Sequence, residues 1–151
     1  MTQERTQCQA LAEVMHEVNN LLRAAGAADI MHYLQTNDIS VPRYMVLRML
    51  GDSEGVTISH IATQLHLTLG STSQLIDRLE QDGLVSRHDD DDDRRIRRIY
   101  LLAKGREIID AVRTIAIHSL QTQLSHLPDS TVTELLAIMI HTRSLLQKET
   151  S

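Results

Sequence analysis

The stretch IATQLHLTLGSTSQLIDRLEQDGLVSRHDDDDDRRIRRIYLLAKGRE, residues 61–107, decides the fold. Its opening belongs to a helix with Ile61, Ala62 and Leu65 on one face and Thr57 or Ser59 as the capping residue. Thr68 then caps a second helix whose apolar stripe is Leu75, Ile76 and Leu79. Gly83 stands where a glycine ends a helix by turning left-handed. Two strand-like runs follow, residues 84–88 and 96–102, joined by a charged loop of about seven residues. That spacing predicts a β-hairpin with an extended tip.

Helix, short turn, helix and hairpin together read as a helix-turn-helix with a wing. In such an arrangement the first helix braces, the second has the diameter to enter a DNA major groove, and the wing reaches sideways to the backbone or the minor groove. The stripe on the second helix leaves Ser71, Ser73, Gln74 and Arg78 free. Ser and Gln can hydrogen-bond base edges, and Arg78 suits a phosphate or a ligand cleft below the helix. Leu69 and Gly70 permit close approach and an apolar contact with a thymine methyl, and the helix N-terminus favours phosphate. The same order of elements also occurs in protein-interaction modules, so the pattern by itself leaves that alternative open.

Working outward, residues 8–35 place Leu11, Val14, Met15, Val18, Leu21 and Leu22 at helical steps, with Gly26 in the segment GAAD expected to loosen the helix. The segment NDISVP breaks it, and Pro42 opens a short helix carrying Tyr44, Val46, Leu47 and Leu50. VTIS, residues 56–59, is a candidate brief strand. After the wing, two more apolar stripes run from Ile108 to Leu124 and from Val132 to Leu146, separated by Pro128. Terminal helices this apolar and this far from the middle of the chain bury their stripes against a partner. The expected architecture is therefore mainly α with a small β-hairpin wing. Residues 36–106 form the winged lobe, and residues 1–35 and 107–151 form a helical dimerisation region.

The composition is that of a soluble globular protein, with three Tyr, no Phe and no Trp among 151 residues, so the core must be aliphatic. One cysteine, Cys8, excludes an internal disulfide framework. The chain shows no signal-peptide pattern at its start and no apolar run of about 18 residues, which together predict a cytoplasmic protein with no membrane partner. The net charge of −5 is unevenly spread: residues 43–106 hold ten basic and ten acidic side chains, and the two ends hold five basic and ten acidic. The ends repel a polyanion; the middle can touch one if its acids point elsewhere.

Residues 61–107 closely resemble the central block of the MarR family of winged-helix transcription regulators. The family pattern runs roughly L-A-x-x-L-x-[LI]-x-x-x-[ST]-[VT]-[ST]-x-L-[VI]-D-R-L-E-x-x-G-[LW]-[VI]-x-R, then D-x-R and L-[ST]-x-x-G. The resemblance extends to the long flanking helices. It implies that Asp93 and Arg95 are the wing's D-x-R, the arginine entering the minor groove and the aspartate fixing the wing through an ion pair. It makes Arg94, Arg97 and Arg98 candidates for neighbouring phosphates, and it matches Ser71, Ser73 and Gln74 to recognition-helix positions. It also places Arg78 and Arg87 near the ligand in members that bind aromatic carboxylates. His16, Tyr44, Ser73, Arg78 and Arg87 are the candidate ligand residues, for a small phenolic or anionic effector. The chain departs from the pattern at Leu69 and Gln74, often basic in the family, and at Leu102, where a capping Ser or Thr is usual.

The other signals are weaker. The aspartates 89–93 lack the spaced ligands, glycine and terminal Glu of a calcium loop, so they read as a solvated turn or as acids that repel phosphates from all but one docking pose. No histidine pair has metal-ligand spacing, and His16, His32 and His118 read as ordinary helix positions; no metal or cofactor is expected. Cys8 lies two turns before the place, near His16, that the family's peroxide-sensing branch uses. Met15, Met31, Met45 and Met49 could line a pocket, but at helical spacing they fit a core. No nucleophile–base pair or phosphate loop points to an enzyme. The sequence thus predicts a homodimeric DNA-binding regulator, a repressor on a pseudo-palindromic operator, relieved by a small molecule. A winged-helix interaction module or a metal- or redox-responsive regulator is the alternative.

Overall fold

The computed structural model describes residues 2–53, 55–90 and 97–149. In chain order the elements are α1 (Thr2–Thr36), α2 (Val41–Gly51), β1 (Val56–Thr57), α3 (Ile58–Leu65), α4 (Leu69–Gln81), β2 (Val85–Asp89), β3 (Arg97–Leu101), α5 (Ala103–Leu124) and α6 (Asp129–Glu149). They form two compact units, one of residues 28–115 and one built from the chain's two ends, up to Ala27 and from Ala116. The boundaries expected at 35 and 107 therefore fall inside the winged unit. Packing sets them there: Leu34 at the end of α1, and Ile108 and Val112 in α5, are buried in that unit's core.

The core is aliphatic, as the scarcity of aromatics requires. Val46, Leu47 and Leu50 from α2 meet Ile61 from α3, Ile76 and Leu79 from α4, and Ile99 from β3. Three helix ends turn the chain in the same way. Ile39 N–H donates to Leu34 O, Leu67 N–H to Ala62 O, and Leu84 N–H to Leu79 O, each closing over a left-handed residue. Those residues are Asp38 (φ 54°), His66 (φ 53°) and Gly83 (φ 69°). This is the Schellman stop, in which a left-handed residue lets the next amide satisfy a carbonyl of the last turn. Around Asp38 and Gly83 it also folds an apolar residue back toward the core, Ile39 near Leu34 and Leu84 near Leu79.

The sheet has three antiparallel strands in the order β1-β3-β2. The hairpin partner expected for β2 is β3, in the register Val85↔Leu101 to Asp89↔Arg97. The brief run at 56–57 adds a third strand, with Val56 opposite Ile99. It is positioned by Gly55 (φ 92°), where a Cβ would lie 2.7 Å from the Tyr100 ring.

In the terminal unit, α1 passes Gly26 without the loosening expected from glycine. A Cβ there would sit 3.0 Å from the Ser119 hydroxyl, so this glycine serves a close approach of α5. Leu11, Val14, Met15, Val18 and Leu21 of α1, and Leu135, Leu136, Met139, Ile140, Leu145 and Leu146 of α6, are all exposed in the single chain. Met31 and Met45 are also exposed, while Met49 packs against the winged unit's core, so the methionines are not a shared core feature. Among the described residues no helix is long and apolar enough to cross a membrane.

Gly105, in the first turn of α5, is buried, and a Cβ there would run into the Leu84 carbonyl and the Leu101 side chain. The Leu102 N–H donates to that same carbonyl at 3.0 Å, so the backbone has no room to retreat. Gly105→Ala is expected to lower stability by about 1–3 kcal/mol through overpacking. Denaturant unfolding checks this; an unchanged midpoint would contradict the packing described.

Candidate nucleic-acid interface

The sequence reading rests on α4, and the structure shows how that helix is held. At its N-terminus the Thr68 side chain accepts from the Ser71 N–H at 3.1 Å, the capping contact expected of Thr68. Thr72, fully buried, donates its hydroxyl to the Thr68 carbonyl at 2.9 Å, so it carries no unsatisfied polar group into the core. Thr57 caps α3 in the same manner through the His60 N–H, which decides between Thr57 and Ser59.

The stripe inside α4 is Thr72, Ile76 and Leu79. Leu75, expected on it, is only half-buried. The outer face carries Leu69, Gly70, Ser71, Gln74, Asp77 and Arg78, all exposed, with Ser73 half-buried at the edge. Leu69 is 59% exposed although apolar. Among the described residues no other part of the protein packs within 4 Å of where a Gly70 Cβ would stand, so that packing does not require a glycine there. Ser71 is not wholly free: its hydroxyl accepts from the Thr68 hydroxyl at 2.9 Å.

The other end of α4 is clamped by charges the sequence reading did not single out. Arg43 of α2 is only 7% exposed. It donates to the Asp38 carbonyl at 2.9 Å and forms an ion pair with Asp82, the residue that ends α4. Lys104 of α5 donates to the Asp82 carbonyl at 2.9 Å. Arg43 thus ties α1, α2 and α4 together and is withdrawn from any polyanion. An arginine in a helix with apolar neighbours gives no sequence signal of burial; its partner lies 39 residues away.

Arg87, a candidate ligand residue, is likewise engaged. It pairs with Asp77, and its Nε lies 3.3 Å from Glu80 Oε2, a charge contact without hydrogen-bond alignment. It fastens β2 to the outer side of α4. Arg78 has no ion pair among the described residues. It lines a cleft of about 330 Å³ with Ser40, Arg43 and Asp82. Tyr44 is half-buried, and burial pushes its hydroxyl pKa above the usual phenol value, partly offset by Arg48, so it stays protonated at neutral pH. His16 belongs to the terminal unit, where its ring pairs with Asn20 at 3.1 Å. The structure gathers none of the other ligand candidates around Arg78 in that cleft. Among the described residues no three His, Cys, Asp or Glu side chains lie together as a metal site.

On the wing, Asp93, Arg94 and Arg95 lie outside the described residues. Arg97 and Arg98, expected at phosphates, are each paired with an aspartate of the preceding run: Arg97 with Asp89 at 3.4 Å, and Arg98 with Asp90. His88 packs edge-on against Tyr100 on one face of the hairpin, ring centroids 5.3 Å apart.

Residues 39–96 match the sequence profile of the MarR family. Over 76 residues the chain is 37% identical to an uncharacterised HTH-type transcriptional regulator of Bacillus subtilis, YsmB, covering 50% of this chain and 52% of that protein. The chain thus spans about half the length of that relative. Its fold is similar to that of a transcriptional regulator from Thermotoga maritima (TM-score 0.81, 19% identity, 95% of this chain and 98% of the other). It is also similar to a MarR-family protein from Bacillus stearothermophilus (TM-score 0.66, 27% identity, 98% of both chains). A third similar structure is a MepR variant of Staphylococcus aureus bound to an oligodeoxyribonucleotide (TM-score 0.64, 23% identity, 90% of this chain and 97% of the other).

Thr68→Ala removes the cap that positions the first turn of α4. It is expected to cost about 1 kcal/mol of stability and to speed amide exchange at Ser71. Protection of the Ser71 amide equal to that of the parent protein would count against this account of the helix start.

Proposed function

We propose that this chain, whose residues 39–96 match the MarR family profile, works as a DNA-binding transcriptional regulator, a homodimeric repressor on a pseudo-palindromic operator. The observation that carries this reading is the outer face of α4. Ser71 and Gln74 stand exposed beside an exposed Leu69, on a helix whose inner face and both ends are fixed. Such a helix offers hydrogen-bonding groups and one apolar contact to base edges without loss of its own packing. The oligonucleotide-bound MepR structure, of the same fold, supports the direction of the argument. In this reading Arg95 enters the minor groove with Asp93 fixing it, and Arg94, Arg97 and Arg98 are the wing's phosphate candidates.

The dimer is supported by the apolar residues of α1 and α6 that remain exposed in the single chain. Two copies would place two α4 helices in successive major grooves about one helical turn apart. A small phenolic or anionic effector that favours a different spacing of the two helices would release the operator, provided it binds the two states unequally. Arg78, in its cleft beside Arg43, is the cation such an effector would meet first. A protein acting on the chromosome in this way works in the cytoplasm.

The second reading, a winged-helix interaction module without specific DNA binding, draws support from the pairing of Arg97 and Arg98 with aspartates. Titration of duplexes carrying its own upstream DNA, and of unrelated duplexes, at two salt concentrations separates the readings. A regulator gives selective binding that falls steeply with salt, by about 0.9 in log–log slope per phosphate contact. Gln74→Ala is expected to lose about 1–3 kcal/mol on the preferred duplex and to relax selectivity, and Arg95→Ala to weaken binding on every duplex. Weak, equal binding to all sequences would favour the module. For the dimer, Leu136→Glu with Leu146→Glu is expected to shift the sedimenting species from dimer to monomer; a parent protein that sediments as a monomer would contradict it.

A further inference from the structure

Asp89 and Asp90, the first two aspartates of the run on the wing, have no DNA-contacting role in the reading above, and they face arginines in two different ways. Arg97 and Arg98 are neighbours in β3, so they project to opposite faces of the hairpin. Arg97 stands directly across from Asp89 in the strand register, and its Nε lies 3.4 Å from the carboxylate. Both side chains of that pair are open to solvent, 66% and 59% exposed. Arg98 stands across from His88, and Asp90, two residues further along, reaches it diagonally on the same face. There the carboxylate is only 9% exposed. His88 and Tyr100 share that face.

We propose that the two pairs have different jobs, and that Asp89 is a built-in stand-in for a DNA phosphate. Asp90 is a positioning residue: with its carboxylate buried on Arg98, it clasps the loop end of the hairpin and stays in place when DNA binds. Asp89 holds Arg97 in the free protein and is displaced when a phosphate takes its place. The physics follows from exposure. A pair open to water is weak and exchanges one anion for another at little cost. A nearly buried carboxylate, shielded from water, gives up its arginine only at a larger cost. A displaced Asp89 lies close to the phosphate that replaced it, so the exchange is tolerable only where the other contacts of a cognate site hold the duplex in register. Asp89 therefore lowers affinity for non-cognate DNA more than for the operator. Once freed, it also takes up a cation, which cancels part of the counterion release from DNA.

This inference rests on the DNA-binding reading, and the test separates the two. Binding of the parent protein, Asp89→Asn, Asp90→Asn, Arg97→Ala and the Asp89→Asn/Arg97→Ala double variant is measured on a preferred and an unrelated duplex across a salt series, with thermal melting of each protein. The proposal expects Asp89→Asn to bind the unrelated duplex several-fold tighter at low salt. Its log–log salt slope should steepen by up to about 0.9, the value for one added phosphate contact. The gain should vanish in the double variant, and melting should be unchanged. Asp90→Asn should instead melt earlier and gain no affinity. If the parent protein binds selectively but Asp89→Asn neither tightens non-cognate binding nor changes the slope, the proposal is wrong and the DNA reading stands. An equal gain from Asp90→Asn without loss of melting temperature also overturns it. If no duplex binds the folded parent protein, the DNA reading fails and this inference falls with it.

Discussion

The structure depends on α4 being fixed from behind and at both ends, so that its outer face need do no packing. Thr68 satisfies the first turn, and Thr72, Ile76 and Leu79 fill the core. At the far end Gly83 turns the chain while Asp82 is gripped by the buried Arg43. The arginine is buried but the Asp82 carboxylate is 49% exposed and still hydrated, so the pair adds little net stability. Its value here is positional. Arg43 also holds the carbonyl of Asp38 in the α1–α2 link, and Lys104 holds the carbonyl of Asp82, so helices α2, α4 and α5 converge on one acidic residue. That leaves Leu69, Ser71 and Gln74 exposed on an element whose geometry is set by groups on its other face and at its ends.

The charge of the middle of the chain has the same division. Ten basic and ten acidic side chains in residues 43–106 sum to nothing, yet they are not interchangeable. Arg43 and Arg87 are spent on holding α4 to α2 and to β2. Arg106 donates to the Gly51 carbonyl at 3.2 Å and tethers α5 to the end of α2. Arg78 is left with no ion pair among the described residues, and Arg97 with only a solvent-exposed one. Net charge is thus a poor guide to what this chain can bind; the accessible, exchangeable cations are fewer than the composition offers.

The parts of the fold legible in the sequence were those with local causes. Apolar spacing located the helices, Thr68 and Gly83 bracketed α4, and alternation located β2 and β3. What escaped had causes distant in the chain. The stops at Asp38 and His66 use residues that tolerate the left-handed conformation less often than glycine, so neither announces itself. Gly26 looked like a weak point and proved to be a contact with Ser119, 93 positions away. Arg43 looked like one more surface cation until Asp82 was placed beside it. The outer face of α4 was largely foreseen, because a face is a periodicity. The pairing of Arg97 and Arg98 with Asp89 and Asp90 was not, because it needs the register of the hairpin.

The central claim, that two copies of this chain present α4 to DNA, is tested most directly by footprinting the protein on its own upstream duplex. The account expects two protected major-groove segments with centres about one helical turn, roughly ten base pairs, apart, on one side of the duplex. A single continuous coating that lengthens with protein concentration, or no protection by folded protein at low salt, would contradict it.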